Sequence, residues 1–160
     1  MENNPTSRCS LFSTSCSFGP TFVRLALGVM MFPHGAQKLL GWFGGYGFTG
    51  TMQYFTGMAH IPYFLGVIVI LVEFFGAIAL ILGLATRIAA FLVGFDLVTA
   101  MFMEHVQNGF FMNWYGNQKG EGMEFFILVA GMALGLIVLG GGALSIDGAC
   151  RRLRAAPPAA

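Results

Sequence analysis

From Pro20 to Leu139 the chain alternates long apolar runs with short stretches of polar and aromatic residues. Four such runs predict four helices long enough to cross a bilayer. The first covers about 20–40: Pro20 suits a first helical turn, where its missing N–H costs nothing, and Gly41 suits a stop. Pro33 inside the run predicts a kink just below His34. Arg24, one turn in, is expected to snorkel toward the lipid head groups. The second run opens at Pro62, is broken by the single charge Glu73, and ends at Gly83-Leu-Ala-Thr-Arg87. The third spans about 88–103, contains Asp96 and ends in Glu104-His105. Glu121 and Glu124 open the fourth, where acidic groups complement a helix N-terminus, and the run continues to about 139. Its Gly131 and Gly135 form a GxxxG pair, a signal for close helix contact within or between subunits. The linking segments 41–61 and 106–120 read as loops rich in glycine and aromatic side chains. The predicted fold is an all-α integral membrane protein, a four-transmembrane-helix bundle over 20–148. A polar tail covers 1–19 and a basic, Pro/Ala-rich tail 149–160.

Composition strengthens the membrane reading. Of 160 residues, 56% are hydrophobic and 9% charged, where a soluble domain carries nearer a quarter. Seventeen Phe, ten Met and 23 Gly fit closely packed helices in lipid. A net charge of +1 excludes a nucleic-acid binder. The basic residues set the orientation. Arg8, Arg24, Arg87, Arg151, Arg152 and Arg154 fall at one side, and only Lys38 and Lys119 at the other. Both termini are therefore expected on the cytoplasmic side. Residues 1–19 lack the basic start and apolar core of a signal peptide and read as a mobile tail with a short interfacial segment around Leu11 and Phe12. Cys9, Cys16 and Cys150 form no CxxC or Cys/His spacing and read as incidental thiols. No strand precedes the glycines of 41–61 and no P-loop ending follows them, so they are turn chemistry.

The candidate chemistry lies near one membrane face. His34 and Lys38 are four apart and share a helix face. At a rise of about 1.5 Å per residue, His34 lies on the order of 9 Å below the outer face. Glu73 and Asp96 both come out roughly 16 Å down, near mid-bilayer. Glu104, His105, Glu121 and Glu124 cluster at the same outer end. Carboxylates facing lipid are costly, so Glu73 and Asp96 should face the bundle interior. There they either tie neighbouring helices together or carry protons in partnership with His34 or Lys38. Asn113 and Trp114 either anchor the interface or shape a headgroup pocket. No HxxxH or ExxH spacing supports a metal site, and none is assigned.

The motifs themselves resemble the DoxX family. They are Arg24-Leu-Ala-Leu-Gly, Pro33-His-Gly-Ala-Gln-Lys-Leu, Phe43-Gly-Gly-Tyr-Gly, Glu73-Phe-Phe-Gly, Leu82-Gly-Leu-Ala-Thr-Arg, His105-Val-Gln-Asn-Gly-Phe-Phe-Met-Asn-Trp and Gly120-Glu-Gly-Met-Glu. The match covers about 20–148. It implies a small four-helix protein of the bacterial inner (plasma) membrane, multi-pass. The family's name points to the small-subunit region of a thiosulfate:quinone oxidoreductase, and relatives carry quinone oxidoreductase labels. The family's recurrent polar positions map onto His34, Gln37, Lys38, Glu73, Arg87, His105, Asn113, Trp114, Glu121 and Glu124. Asp96 matches no position of that pattern.

Two functions follow as expectations. In the first, the protein is a quinone-linked oxidoreductase or an accessory subunit of a membrane redox complex. His34, Lys38, Glu73, His105 and Glu124 would then be catalytic, and Gln37, Asn113 and Trp114 would bind the cofactor. A quinone needs hydrogen-bond donors for two carbonyls, an aromatic pocket and protons. The chain carries no flavin, NAD, Fe–S or haem motif, so electrons would come from a partner subunit or bound cofactor. In the second, it is a non-catalytic assembly or structural component, or a small-molecule transporter, with homo-oligomerisation through the GxxxG helix. The bilayer is a partner in both.

Overall fold

The structure is a computed structural model, and it describes residues 17–155. Cys9, Cys16, Arg8 and the interfacial segment at Leu11 and Phe12 lie outside the described residues, as do 156–160. Six α-helices account for most of the rest: α1 (Gly19–Leu40), α2 (Gly47–Gly57), α3 (Tyr63–Leu82), α4 (Thr86–Ala100), α5 (Glu124–Leu139) and α6 (Ile146–Ala155). Glycines end three of them where the sequence places the stops. Gly41, Gly83 and Gly140 take φ of 74°, 69° and 78°, which a side chain resists. The second helix starts directly after Pro62. α1 runs through Pro33 as one continuous helix. α4 carries on through a π-turn, Met101–His105, and a short 3-10 turn, Val106–Asn108.

Helix α1 packs on α3 and α5, α3 on α4, and α4 on α5, closing a ring of four helices. Its centre is filled by Leu27, Met31, Leu80, Val93, Val129 and Leu136, all at most 2% exposed. The outside of the ring is also apolar: Phe22, Phe75, Phe91, Phe95, Leu128 and Val138 are all more than half exposed. A water-facing surface of that kind would be an aggregation site, whereas lipid matches it. Among the described residues two helices are long and apolar enough to cross a membrane, Tyr63–Leu82 and Thr86–Asn108, and the apolar Glu124–Leu139 is shorter. α1 has 22 residues but is diluted by Arg24, His34, Gln37 and Lys38.

Two helices arise where the sequence predicts none. Within 41–61, Phe48, Met52 and Phe55 recur at helical spacing and pack on Ile70 of α3 together with Leu39 and Val67. The surrounding glycines mask that stripe, because they lower helix propensity without preventing a helix that tertiary contacts support. Residues 146–155, which run across the start of the basic tail expected from 149, form α6.

The loops beside α6 form a polar lock. Arg24 does not snorkel: it is 1% exposed and its guanidinium turns inward. Nε donates to the Gly141 carbonyl at 3.0 Å, Nη1 to those of Leu80 and Ile81 at 2.5 Å each, and Nη2 to that of Leu144 at 2.6 Å. The last carbonyls of a helix run short of intrahelical donors, and here one cation supplements the Gly83 cap on α3 and opposes the helix dipole. Asp147 does the converse for α4, accepting from the N–H groups of Ala85 and Thr86 at 2.8 Å each. It thereby holds Ala85 at a left-handed φ of 45°. Arg87 donates to the Ile137 carbonyl near the end of α5 at 2.9 Å.

Candidate functional site

The polar centre at the other end begins with a glycine. A Cβ on Gly35 would come within 2.5 Å of the Phe74 backbone, so α1 and α3 approach here as closely as two helices can. One turn on, Lys38 Nζ meets Glu73 Oε2 at 2.6 Å. Glu73 is 5% exposed, and Lys38 is partly open. The third member comes from α4. Asp96 borders the same cavity, with its carboxyl in the fields of Glu73 and Lys38. Two carboxyls therefore face one ammonium.

The trio forms the floor of a cavity of about 430 Å³ between α2, α3 and α4. Phe55, Leu65, Ile68, Val69 and Phe95 wall it. Ile68 and Phe95 are 50% and 66% exposed, so the walls run out onto the lipid-facing surface and the mouth opens sideways. At the rim, the Tyr54 hydroxyl donates to Glu104 Oε1 at 3.4 Å. Partial burial, then the Glu104 carboxylate, raise the Tyr54 phenol above its ordinary value and keep it a donor. A second, more polar cavity of about 750 Å³ lies over α2, lined by Gln37, Thr51 and Gln53. Lys38, Tyr54 and Phe55 border both spaces, so Lys38 is reached from two sides.

The candidate residues named from sequence fall into two groups. Lys38 and Glu73 meet in the cavity. His34 lies in their electrostatic reach, exposed and away from the cavity lining. Gln37 donates to the Phe43 carbonyl at 3.1 Å and so shapes the turn after α1. The others gather where 106–123 folds over the α4–α5 end. His105 Nδ1 lies 3.0 Å from the Glu121 carbonyl and its ring packs on Phe126, with centroids 4.3 Å apart. Trp114 Nε1 donates to Glu124 Oε1 at 3.4 Å, and the Asn113 N–H to Glu121 Oε2 at 2.6 Å. The Asn113 side chain bonds both ways with the Gln118 backbone. These contacts organise a loop. Asp96, Tyr54 and His60 also line the cavity, beyond the residues that the sequence assigns as catalytic or cofactor-binding. Asp96, a charge in an apolar run, gave a signal; the other two sit in a segment read as a loop. Among the described residues no three His, Cys, Asp or Glu gather closely enough to hold a metal ion.

Comparison with known proteins agrees with this setting. The DoxX family model matches residues 19–106. Inner membrane protein YqjF of Escherichia coli (strain K12) is 36% identical over 113 residues, 67% of this chain and 77% of that protein. Inner membrane protein YphA of the same strain is 30% identical over 129 residues, 78% of this chain and 84% of that protein. A protein of Bacillus subtilis (strain 168) named "Putative oxidoreductase CatD" is 29% identical over 99 residues, 62% of this chain and 69% of that one. No solved structure matches the chain. The match to more than half the chain, and relatives covered over most of their length, make this protein a member of the DoxX family and an inner-membrane protein.

Proposed function

We propose that the protein is a four-span membrane component with a quinone-linked redox role, and that the cavity beneath α2 is its ligand site. On this reading residues 20–148 form the membrane unit, with the α6 end and both termini cytoplasmic. The distribution of charge supports that orientation: Arg24, Arg87, Arg151 and Arg152 lie toward α6, against Lys38 and Lys119 at the opposite end. The observation that carries the ligand site is the Lys38–Glu73–Asp96 trio at the floor of an apolar cavity open toward lipid. A ligand fitting that description is apolar over most of its surface and carries oxygen acceptors at one end.

A quinone meets this description, and when bound it supplies an acceptor of two electrons and two protons. Lys38 spends one of its three N–H donors on Glu73 and keeps the others for a carbonyl oxygen. Glu73 and Asp96 bring two carboxyls into the same cavity, groups of the kind that take up and pass on protons. Phe55, Leu65 and Phe95 exclude water from the ring. Protons are replenished from the outer cavity, which shares Lys38 with the inner one. Electrons come from a reduced partner subunit or its cofactor. The oxidoreductase label of the Bacillus relative supports this class of role. His105, Glu124, Asn113 and Trp114 then act on the loop 106–123 and not on the ligand.

The test is photolabelling of the protein in lipid nanodiscs with an azidoquinone, followed by peptide mapping. Adducts on the facing segments of α2, α3 and α4, competed away by excess quinone, are expected, with at least tenfold less labelling in Lys38→Met. Adducts spread over the lipid-facing surface and insensitive to competitor would contradict the reading. The alternative, a non-catalytic assembly component, draws on a different observation. Gly131 and Gly135 meet nothing within 4 Å and border an apolar groove between α1 and α5. That face suits a partner helix. Intact assembly with loss of quinone labelling favours chemistry, and the reverse favours structure.

A further inference from the structure

Helix α6 is built unlike the five before it. Ile146, Ala149, Cys150 and Leu153 recur at i, i+3, i+4 and i+7, which makes one apolar stripe. In a helix packed on a core that stripe would be covered. Here all four are exposed, Leu153 at 78%. The helix is nonetheless fixed in place. Asp147 caps α4, Ser145 Oγ accepts from the Gly148 N–H at 3.0 Å, and Arg152 donates to the Ala143 carbonyl at 3.0 Å. The helix is thus rigidly hung at its first turn with its greasy side bare. Its charge is one-sided as well: Asp147 is spent on α4, and Arg151, Arg152 and Arg154 follow in four residues. The family model ends at 106, well before it.

We infer that α6 is an interfacial helix that lies in the bilayer surface and binds anionic phospholipid head groups. Its stripe dips among the upper acyl chains, and its basic sequence brings positive charge to the depth of the phosphates. Charge complementarity selects an anionic surface. Each arginine near such a surface raises partitioning about fivefold. Area argues against a protein partner. Four small or medium side chains fall far short of the roughly 1,000 Å² that a stable interface buries. The bilayer, in contrast, is already close at hand, because only residues 140–145 separate α6 from the end of the apolar helix α5. The inference stands independently of the redox reading.

The test uses the full-length protein with Cys9→Ser and Cys16→Ser, which leaves Cys150 on the stripe as the one thiol. An environment-sensitive fluorophore on Cys150 is followed in nanodiscs of phosphatidylcholine alone or of an equal mixture with phosphatidylglycerol. In the mixed discs we expect a blue-shifted emission and strong quenching by a shallow spin-labelled lipid. Neutral discs, or Arg151→Gln with Arg154→Gln, should reduce the quenching severalfold. Leu153→Ser should reduce it in both disc types. Emission as in water under all conditions overturns the inference. So does protection that ignores lipid charge but rises with protein copies per disc, which would mean that a second copy covers the stripe.

Discussion

Arg24 and Lys38 stand on the same helix, fourteen residues apart, at opposite ends of the bundle, and they spend their charge differently. Arg24 gives its hydrogen bonds to main-chain carbonyls of α3 and of the segment before α6, and Asp147 beside it takes main-chain N–H groups of α4. These bonds all go to main-chain groups, most of them at helix ends where intrahelical partners run out. Lys38 gives its bond to a side-chain carboxylate, next to a second carboxyl, beside empty space. No helix end needs that pair. Buried ion pairs of this kind are replaceable by apolar residues with little loss and often a gain of stability. Polar groups in apolar helices thus divide by partner. Those bonded to backbone hold the fold, and those bonded to each other beside a cavity are candidates for function.

Removing the lock should have the largest effect. Arg24→Met leaves several carbonyls buried without donors and should cost on the order of 4 kcal/mol, read as a collapse in the yield and thermal stability of detergent-purified protein. Arg24→Lys should recover only part of it, because an ammonium cannot fork across the carbonyls. A fully stable Arg24→Met protein would erase the distinction between the ends. Next comes the helix contact beneath the site. Gly35→Val forces α1 away from the Phe74 backbone, costs about 1–3 kcal/mol, and should weaken quinone labelling by pulling Lys38 off Glu73. Asp147→Ala loses the α4 cap and should cost about 1–2 kcal/mol with labelling unchanged. The smallest effect is expected at the rim. Tyr54→Phe removes one long hydrogen bond on an exposed side chain and should stay within about 0.5 kcal/mol by thermal unfolding.

Much of this organisation was legible in the sequence, and for physical reasons. Helix stops followed from Gly41, Gly83 and Gly140, because a left-handed residue after a helix is a local requirement. The inward position of Glu73 followed from the cost of a carboxylate in lipid. Arg24 was misjudged because snorkelling and capping draw on the same side chain. The choice depends on where the α3 carbonyls end, 56 residues away in the chain. Tyr54 escapes a local reading because α2 is a helix by tertiary contact and not by propensity, whereas His60 is the exposed loop residue its place beside Pro62 suggests. His105 and Glu124 group with Lys38 by depth, and Asn113 and Trp114 join them only through the family resemblance. Depth does not resolve which helices face each other, and the loop bonds keep these residues to themselves.

The most direct test of the central claim pairs Lys38→Met with Glu73→Leu in one protein and measures thermal unfolding and azidoquinone labelling side by side. Removing both partners of the ion pair takes away one charge of each sign, so the net charge of the site is unchanged. The double variant should fold with an unfolding temperature at or above that of the parent, and should lose competable labelling at least tenfold. A double variant that fails to fold, or that labels like the parent, would show that the pair belongs with Arg24 and Asp147 as part of the frame.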